Sequence, residues 1–309
     1  MQNKITVIGS SNTDMILKTK RIPKPGETIL GDKFTMAAGG KGANQAVAAA
    51  RSGGDVTFIC KVGEDVFGEE AIKGFQKDKI NVDYIFKDKE TASGIALIFV
   101  DDNGENSIGV GLGANANLSV ADIEKCKYVI VSSSILLIQL ETPVETVKAA
   151  AKIAFENNVT VILNPAPAQQ LDDELLSYVS IITPNETEAE LLTGIQNNNE
   201  DNYKKAATFL KGKGIEKILL TLGSKGVFVS TEQEEKIIPA FKVEAKDTTA
   251  AGDVFNGALA VALSENKSIE ESVKFANAAA ALSVKKFGAQ PSIPYRIEVE
   301  ELLNSVYNN

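Results

Sequence analysis

Apolar runs of strand length alternate with longer amphipathic runs along most of the chain. Residues 5–9, 56–61, 127–133, 160–163, 180–183, 217–221, 227–230 and 237–243 read as strands. Apolar spacing predicts helices over 43–51, 144–157, 172–178, 186–193, 254–263 and 269–285, and another after the glycine turn at 62–68. The alternation predicts an α/β fold: three layers, Rossmann-like, with a mostly parallel sheet covered by helices on both faces. Two outlying stretches, about 13–37 and 91–112, have strand character without a helix between their halves. They are broken by Pro23-Lys-Pro-Gly26 and by the turn Asp101-Asp-Asn-Gly104. They read either as ordinary surface hairpins or as a small β-sheet projecting from the body. No repeat or low-complexity linker divides residues 1–309, so one domain is expected, with this small sheet inserted into it. The polar run Asn197-Asn-Asn-Glu-Asp-Asn202 reads as a surface loop.

Composition narrows the chemistry. Hydrophobic residues make up 44% of the 309, enough for a sizeable core. The net charge of −9 and a pI near 4.9 argue against nucleic acid or an anionic membrane as partner. The longest apolar run, 128–140, is too short and too serine-rich to span a bilayer. Met1-Gln-Asn-Lys4 leads directly into a strand and lacks signal-peptide form. Two cysteines, Cys60 and Cys126, supply neither a disulfide framework nor metal-ligand spacing. A reduced, cytoplasmic protein is expected. There is no histidine at all, so a Ser/His or Cys/His nucleophile and a His-based zinc site are excluded. Chemistry carried by positioning and electrostatics, such as phosphoryl transfer, is favoured.

The stretch Asp247-Thr-Thr-Ala-Ala-Gly-Asp-Val-Phe-Asn-Gly257 opens an alanine-rich helix. Small residues there leave free N–H groups at a positively polarised helix start, a ready site for an anion. Asp253 at that start reads as a plain dipole-compensating charge or as a general base beside a bound phosphate. Earlier, Gly39-Gly-Lys-Gly-Ala-Asn-Gln45 precedes another helix. It is no Walker loop, and Gly9-Ser-Ser-Asn-Thr-Asp14 lacks the dinucleotide fingerprint. Asn12 and Asp14 follow a strand end, where α/β sheets bind ligands, and are equally good turn residues. Asn164-Pro-Ala-Pro follows a strand end in the same way. Asn185 and Glu188 lie three apart at a helix start, where capping accounts for most of their chemistry.

These two glycine-rich motifs, about two hundred residues apart and in this order, resemble the signatures of the ribokinase-like family of sugar and nucleoside kinases. The likeness runs from Val7-Ile-Gly-Ser to Gly288-Ala-Gln-Pro-Ser292. It implies ATP-dependent phosphorylation of D-ribose at O5, with Asp253 as general base and Ala250, Ala251 and Gly252 forming the anion hole. It assigns Asn12, Asp14, Gly40, Lys41, Asn44 and Glu141 to the sugar. It sets Asn185 and Glu188 behind a magnesium–phosphate assembly, and Thr221, Gly223, Ser224, Lys225 and Gly226 beside the nucleotide with Gly252. Asn277 falls where the family has an adenine-facing residue, often histidine. Carbonyls of Asp247, Thr249, Ser283, Lys286 and Gly288, with Ser292 nearby, would hold potassium. The small sheet becomes a lid over the sugar, shared in a homodimer. The expected ligands are therefore ribose, ATP, Mg2+ and K+. Fructose, deoxyribose or a nucleoside as acceptor, and a non-catalytic sugar-binding regulator, are the competing readings.

Overall fold

The computed structural model describes residues 3–307; Met1 and Gln2 of the N-terminal lead-in lie outside them. In chain order the elements open with β1 (Lys4–Ile8), β2 (Asn12–Lys18), β3 (Lys33–Gly39), α1 (Lys41–Arg51), β4 (Asp55–Gly63), α2 (Val66–Lys77) and β5 (Ile85–Asp88). Next come β6 (Gly94–Val100), β7 (Asn106–Gly111), α3 (Val120–Lys125), α4 (Lys127–Val131), β8 (Ile135–Ile138), α5 (Val144–Glu156) and β9 (Thr160–Leu163). Then follow α6 (Asp173–Ser177), β10 (Ile181–Ile182), α7 (Glu186–Thr193), α8 (Glu200–Lys211), β11 (Lys217–Thr221), β12 (Val227–Ser230) and β13 (Glu235–Ile238). The chain closes with α9 (Ala251–Ser264), α10 (Ile269–Ser283) and α11 (Arg296–Tyr307).

The main sheet has nine strands in the order β13-β12-β11-β10-β9-β8-β1-β4-β5. It is parallel from β5 to β11, and β12 and β13 add an antiparallel edge. Strand alternation sends Ile135 and Leu137 of β8 into one core and Leu136 and Ile138 into another. The first core is closed by α1, α2, α9, α10 and α11, and the second by α3 to α8. Burial on both faces is why these strands are continuously apolar. The three-layer expectation holds.

The outlying stretches form a separate four-stranded sheet, β3-β2-β6-β7. Its outer pairs are antiparallel and its central pair, β2 with β6, is parallel. Asp14 sits opposite Ala37 and Ala96. Period-two alternation therefore puts Asp14, Ile16, Ile98, Ile108 and Val110 on one face. Met15, Met36 and Leu97 share the other.

Several local expectations are corrected. Residues 127–133 are helix α4 and a turn, not a strand; the strand begins at Ile135. Tyr128 and Val131 are exposed while Ile130 is buried, a one-sided pattern that favours a helix turn over the β-branched propensity of Val-Ile-Val. The strand expected at 237–243 stops at Ile238, because Pro239 has no N–H to continue the ladder. The polar run 197–202 is half helix. Asn199 caps α8 through the N–H of Asn202, and Tyr203, Ala206, Ala207 and Leu210 are buried at helical spacing. Helices α3, α8 and α11 and strand β5 lie where no element was expected.

Candidate active site

Ala250 adopts a left-handed conformation, φ 60°, and turns the chain into α9. The first turn of α9 leaves the amides of Gly252 and Asp253 without helical acceptors one turn earlier, while the Ala251 amide donates to the Thr248 carbonyl at 3.2 Å. A Cβ on Gly252 would meet nothing within 4 Å, so this turn faces open space. The open space is a cleft of about 800 Å³. Its lining comes from the C-terminal ends of β9, β10 and β11, the run 240–245, α9 and α10, and includes Lys41, Asn164, Thr221, Gly226, Ala250 and Asn277. Strand ends collect ligand groups in this way because the parallel strands all release their loops on one side.

Asp253 stands at the inner end of the cleft and is buried. Asn44 Nδ2 donates to its Oδ2 at 3.0 Å, and Gln45 Nε2 donates to its Oδ1 at 2.9 Å. Asn44 and Gln45 reach it because α1 starts at Lys41 and lies against α9 with small residues between. A Cβ on Gly257 would come within 2.6 Å of the Gln45 carbonyl and of Ala48 Cβ. Burial raises the pKa of Asp253; the Lys41 ammonium and the two amide donors oppose that shift, and Glu141 adds to it.

The sugar-side residues surround the same carboxylate. Gly40 has φ 90°, and a Cβ there would lie 2.7 Å from the Asn12 amide, so the turn admits only glycine comfortably. Asp14 folds over Gly39, whose missing Cβ would sit 2.3 Å from its carboxylate oxygen. Burial first, then the charges of Glu141 and Asp253, raise Asp14 to about 6. Glu141 Oε2 accepts from Ser10 Oγ at 2.5 Å and from the Lys41 amide at 3.0 Å. Burial would lower the pKa of Lys41, but Asp253, Glu141 and Glu188 together push it up. One ammonium thus stands among three carboxylates, on α7, α9 and the loop after β8, and Asp14 on β2 feels two of the same three. Asn44 Oδ1 is buried and has no protein partner, so an acceptor waits in this half of the site.

On the nucleotide side, Asn185 and Glu188 form a reciprocal capping box on α7, each side chain accepting from the other's amide at 2.8 Å. Both line the cleft, and burial raises the pKa of Glu188. Thr221, Gly223, Ser224 and Gly226 also line it. Lys225 does not; its exposed Nζ pairs with Glu186 at 3.3 Å. Asn277 Nδ2 donates to the Pro239 carbonyl at 3.2 Å. Away from the cleft lining, Asp247 ties two loops together, accepting from the Thr249 amide at 2.9 Å and the Gly288 amide at 2.8 Å. Burial would raise the pKa of its carboxyl, but the Thr249 side chain and the Gly288 and Thr249 amides together hold it below its ordinary range. The Lys286 amide donates to the Ser283 carbonyl, and Ser292 is buried beside the same loop. Among the described residues no group of three Cys, Asp or Glu side chains is placed to hold a metal ion.

The pfkB family carbohydrate kinase profile matches residues 2–296. The chain belongs to that family. It is 49% identical to the ribokinase of Haemophilus influenzae over 98% of this chain and 99% of that one. It is 40% identical to a deoxyribokinase of Salmonella typhi over 97% and 98%. Among solved structures it is similar to Arabidopsis thaliana ribokinase complexed with ribose and ATP, with a TM-score of 0.93 at 34% identity, covering 98% and 99%.

For a pfkB carbohydrate kinase the arrangement is chemically coherent. A carboxylate at a helix start lies between a polar pocket built on β2 and α1 and the cleft of about 800 Å³. Four polar residues of this arrangement escaped the sequence reading. Gln45 touches Asp253 directly. Gln139 Nε2 donates to Gln45 Oε1 at 2.6 Å. Asn115 Nδ2 donates to Asn12 Oδ1 at 2.8 Å, and Asn115 Oδ1 accepts from the Ser11 amide at 2.9 Å. Ser10 holds Glu141. Gln45 and Ser10 stood in quoted motifs and Gln139 two residues before Glu141, with no role read for any of them; Asn115 is a single residue with no spacing signal. Cys60 is fully buried, and burial pushes its thiol up, as it pushes Cys126 up to about 11. No helix among the described residues is long and apolar enough to cross a membrane.

Proposed function

We propose that the chain transfers the γ-phosphoryl group of ATP to O5 of D-ribose, giving D-ribose 5-phosphate and ADP. The observation that carries the reading is the position of Asp253, within hydrogen-bond reach of Asn44 on one side and beside the open first turn of α9 on the other. Ribose would lie among Asn12, Asp14, Gly40, Lys41, Asn44 and Glu141, with O5 toward Asp253. Asp253 accepts the O5 proton as that oxygen bonds to the γ-phosphorus and the bond to the β,γ-bridging oxygen breaks. The amides of Gly252 and Asp253 lie ready to receive charge on the transferred group, whereas that of Ala251 donates to the Thr248 carbonyl at 3.2 Å. Asn44 Oδ1, lacking a partner, suits a sugar hydroxyl.

The nucleotide would run along Thr221, Gly223, Ser224 and Gly226 toward Asn277. Lys225 reaches a phosphate only by leaving Glu186. Magnesium fits as a phosphate-bound ion supported at a distance by Asn185 and Glu188, and when bound it neutralises phosphate charge. Potassium would be held by carbonyls of Asp247, Thr249, Ser283, Lys286 and Gly288 near Ser292, beside the two loops that Asp247 ties together. The four-stranded sheet, residues 13–37 and 91–112, would act as a lid that excludes water over the sugar. Buried, separate thiols and an acidic surface support a cytoplasmic setting; recovery in the soluble fraction of lysed cells tests it.

Coupled ADP production from a panel of ribose, 2-deoxyribose, fructose and nucleosides decides the acceptor. Ribose should give the largest kcat/KM. The likeness to a deoxyribokinase makes deoxyribose the serious competitor. Binding without ADP release from any acceptor would leave a sugar-binding regulator in its place.

A further inference from the structure

Behind the carboxylate of Asp253 lies a chain of side-chain amides with a single allowed direction. It starts at a backbone carbonyl, which cannot rotate. Asn164 Nδ2 donates to the carbonyl of Thr183 at 3.3 Å, so Asn164 turns its Oδ1 toward α1. Gln45 Nε2 donates to that oxygen at 3.0 Å and to Asp253 Oδ1 at 2.9 Å. Gln45 Oε1 in turn accepts from Gln139 Nε2 at 2.6 Å. Reversing Gln45 would set its oxygen against both the carboxylate and Asn164. Reversing Gln139 would set two amide oxygens 2.6 Å apart. Gln45 and Gln139 are both fully buried, so neither can trade these partners for water.

We propose that Gln45 is a positioning residue for the phosphoryl transfer, presenting a permanent donor to Asp253 so that the carboxylate stands ready as a proton acceptor. Asn164 and Gln139 fix the direction of that donor. The inference rests on the reading of Asp253 as general base. A protonated Asp253 could be stabilised by an amide oxygen at this place; an amide N–H selects the anion. The charged groups around Asp253 are Lys41 on α1, Asp14 on β2, Glu141 after β8 and Glu188 on α7. Three of them are carboxylates that favour protonation of Asp253, together with its own burial. The amide donors of Gln45 and Asn44 work with Lys41 against them. Gln139 keeps its place only because Gly9 has no side chain; a Cβ there would lie 2.1 Å from Gln139 Oε1.

The test is the acid limb of kcat at saturating ribose, where the titration of Asp14 no longer enters through KM, in Gln45→Leu, Gln45→Glu and Gln139→Leu. Gln45→Leu should move the limb up by about one pH unit, so activity on the falling acid limb drops about tenfold further than activity on the plateau. Gln45→Glu keeps the shape, sets a second carboxyl against Asp253 and should move the limb further in the same direction. Gln139→Leu removes one of the contacts that fix Gln45, leaves Asn164 in place, and should shift it less. A merely structural loss lowers the profile evenly at every pH, and unshifted limbs in the variants that fold overturn the proposal. Asp253→Asn run beside them separates the two readings. If it collapses turnover while the glutamine variants keep the wild-type limb, only the role of Gln45 fails. If it retains turnover, the general-base reading itself fails.

Discussion

Asn44 Nδ2 lies 3.0 Å from the carboxylate of Asp253, although 209 positions separate the two residues. One stands in the first turn of α1 and the other in the first turn of α9. The bond joins the polar pocket at the end of β1 to the open helix start that faces the nucleotide cleft. Both proposed substrates would therefore meet at one buried carboxylate.

If Asp253 takes the O5 proton, Asp253→Asn leaves the fold and ribose binding intact, because an amide of the same size can still bond to Asn44 and Gln45. Turnover should fall by on the order of a thousandfold. Steady-state ADP release together with ribose titration by calorimetry checks both halves. Turnover within a few-fold of wild type would remove Asp253 from the mechanism.

Asp14 titrates near 6, so its ionisation is exposed to ordinary buffers. A sugar hydroxyl donates best to the ionised form. The KM for ribose should therefore rise as pH falls below about 6, approaching tenfold per unit, and Asp14→Asn should flatten that dependence at a higher KM. The stability sign runs the other way. The folded state holds the Asp14 proton more tightly than the unfolded chain does, so this group's contribution grows as pH falls from about 6 toward 3.8 and is lost as pH rises through about 6. Sugar-free Asp14→Asn should accordingly unfold no earlier than wild type at pH 8. A lower melting temperature there would contradict the assignment.

Gly257 sits where α9 presses on α1. Gly257→Ala brings a methyl within 2.6 Å of the Gln45 carbonyl, and backbone there yields only by separating the helices. The expected cost is about 1–3 kcal/mol of stability. Because the same separation draws Gln45 and Asn44 away from Asp253, kcat should also drop by on the order of ten- to a hundredfold. Thermal melts and kcat measured on one preparation test the link; a destabilised variant with unchanged kcat would break it.

The Asp247 carboxylate bridges the amides of Thr249 and Gly288, closing the ring of loops proposed for potassium. Replacing K+ with a bulky organic cation should lower the rate of the native protein. Asp247→Ala should raise the KCl concentration needed for half-maximal rate. A native rate indifferent to K+ would remove the cation from the proposal.

The small sheet exposes apolar side chains on both faces: Met36 at 58% and Leu97 at 49% on one, Ile108 at 55% and Val110 at 49% on the other. Exposed apolar surface of this kind marks an interaction site, and a second copy of the same sheet is its proposed partner. Sedimentation should show a dimer, and either Met36→Asp or Ile108→Asp should yield monomers, identifying the pairing face. A native protein that stays monomeric at micromolar concentration would end the dimer reading.

Much of this was readable from residue order because it depends on local geometry. A helix start with small residues offers its amides wherever it stands, and strand–helix alternation forces helices onto both sides of a parallel sheet. Hence the three layers, the placing of Asp253 in a first turn, and the outlying strands at 13–37 and 91–112 were all legible. Element type was misjudged where packing overrode propensity: at α4, whose β-branched residues lie on a one-sided helix, and at α8, whose asparagine-rich start hid a cap. What tertiary structure alone decided is which side chains surround the carboxylate. Gln45 on α1, Gln139 just after β8 and Asn164 just after β9 meet only in the fold, and their amides become directional only when buried together, with Thr183's fixed carbonyl at one end and Asp253 at the other.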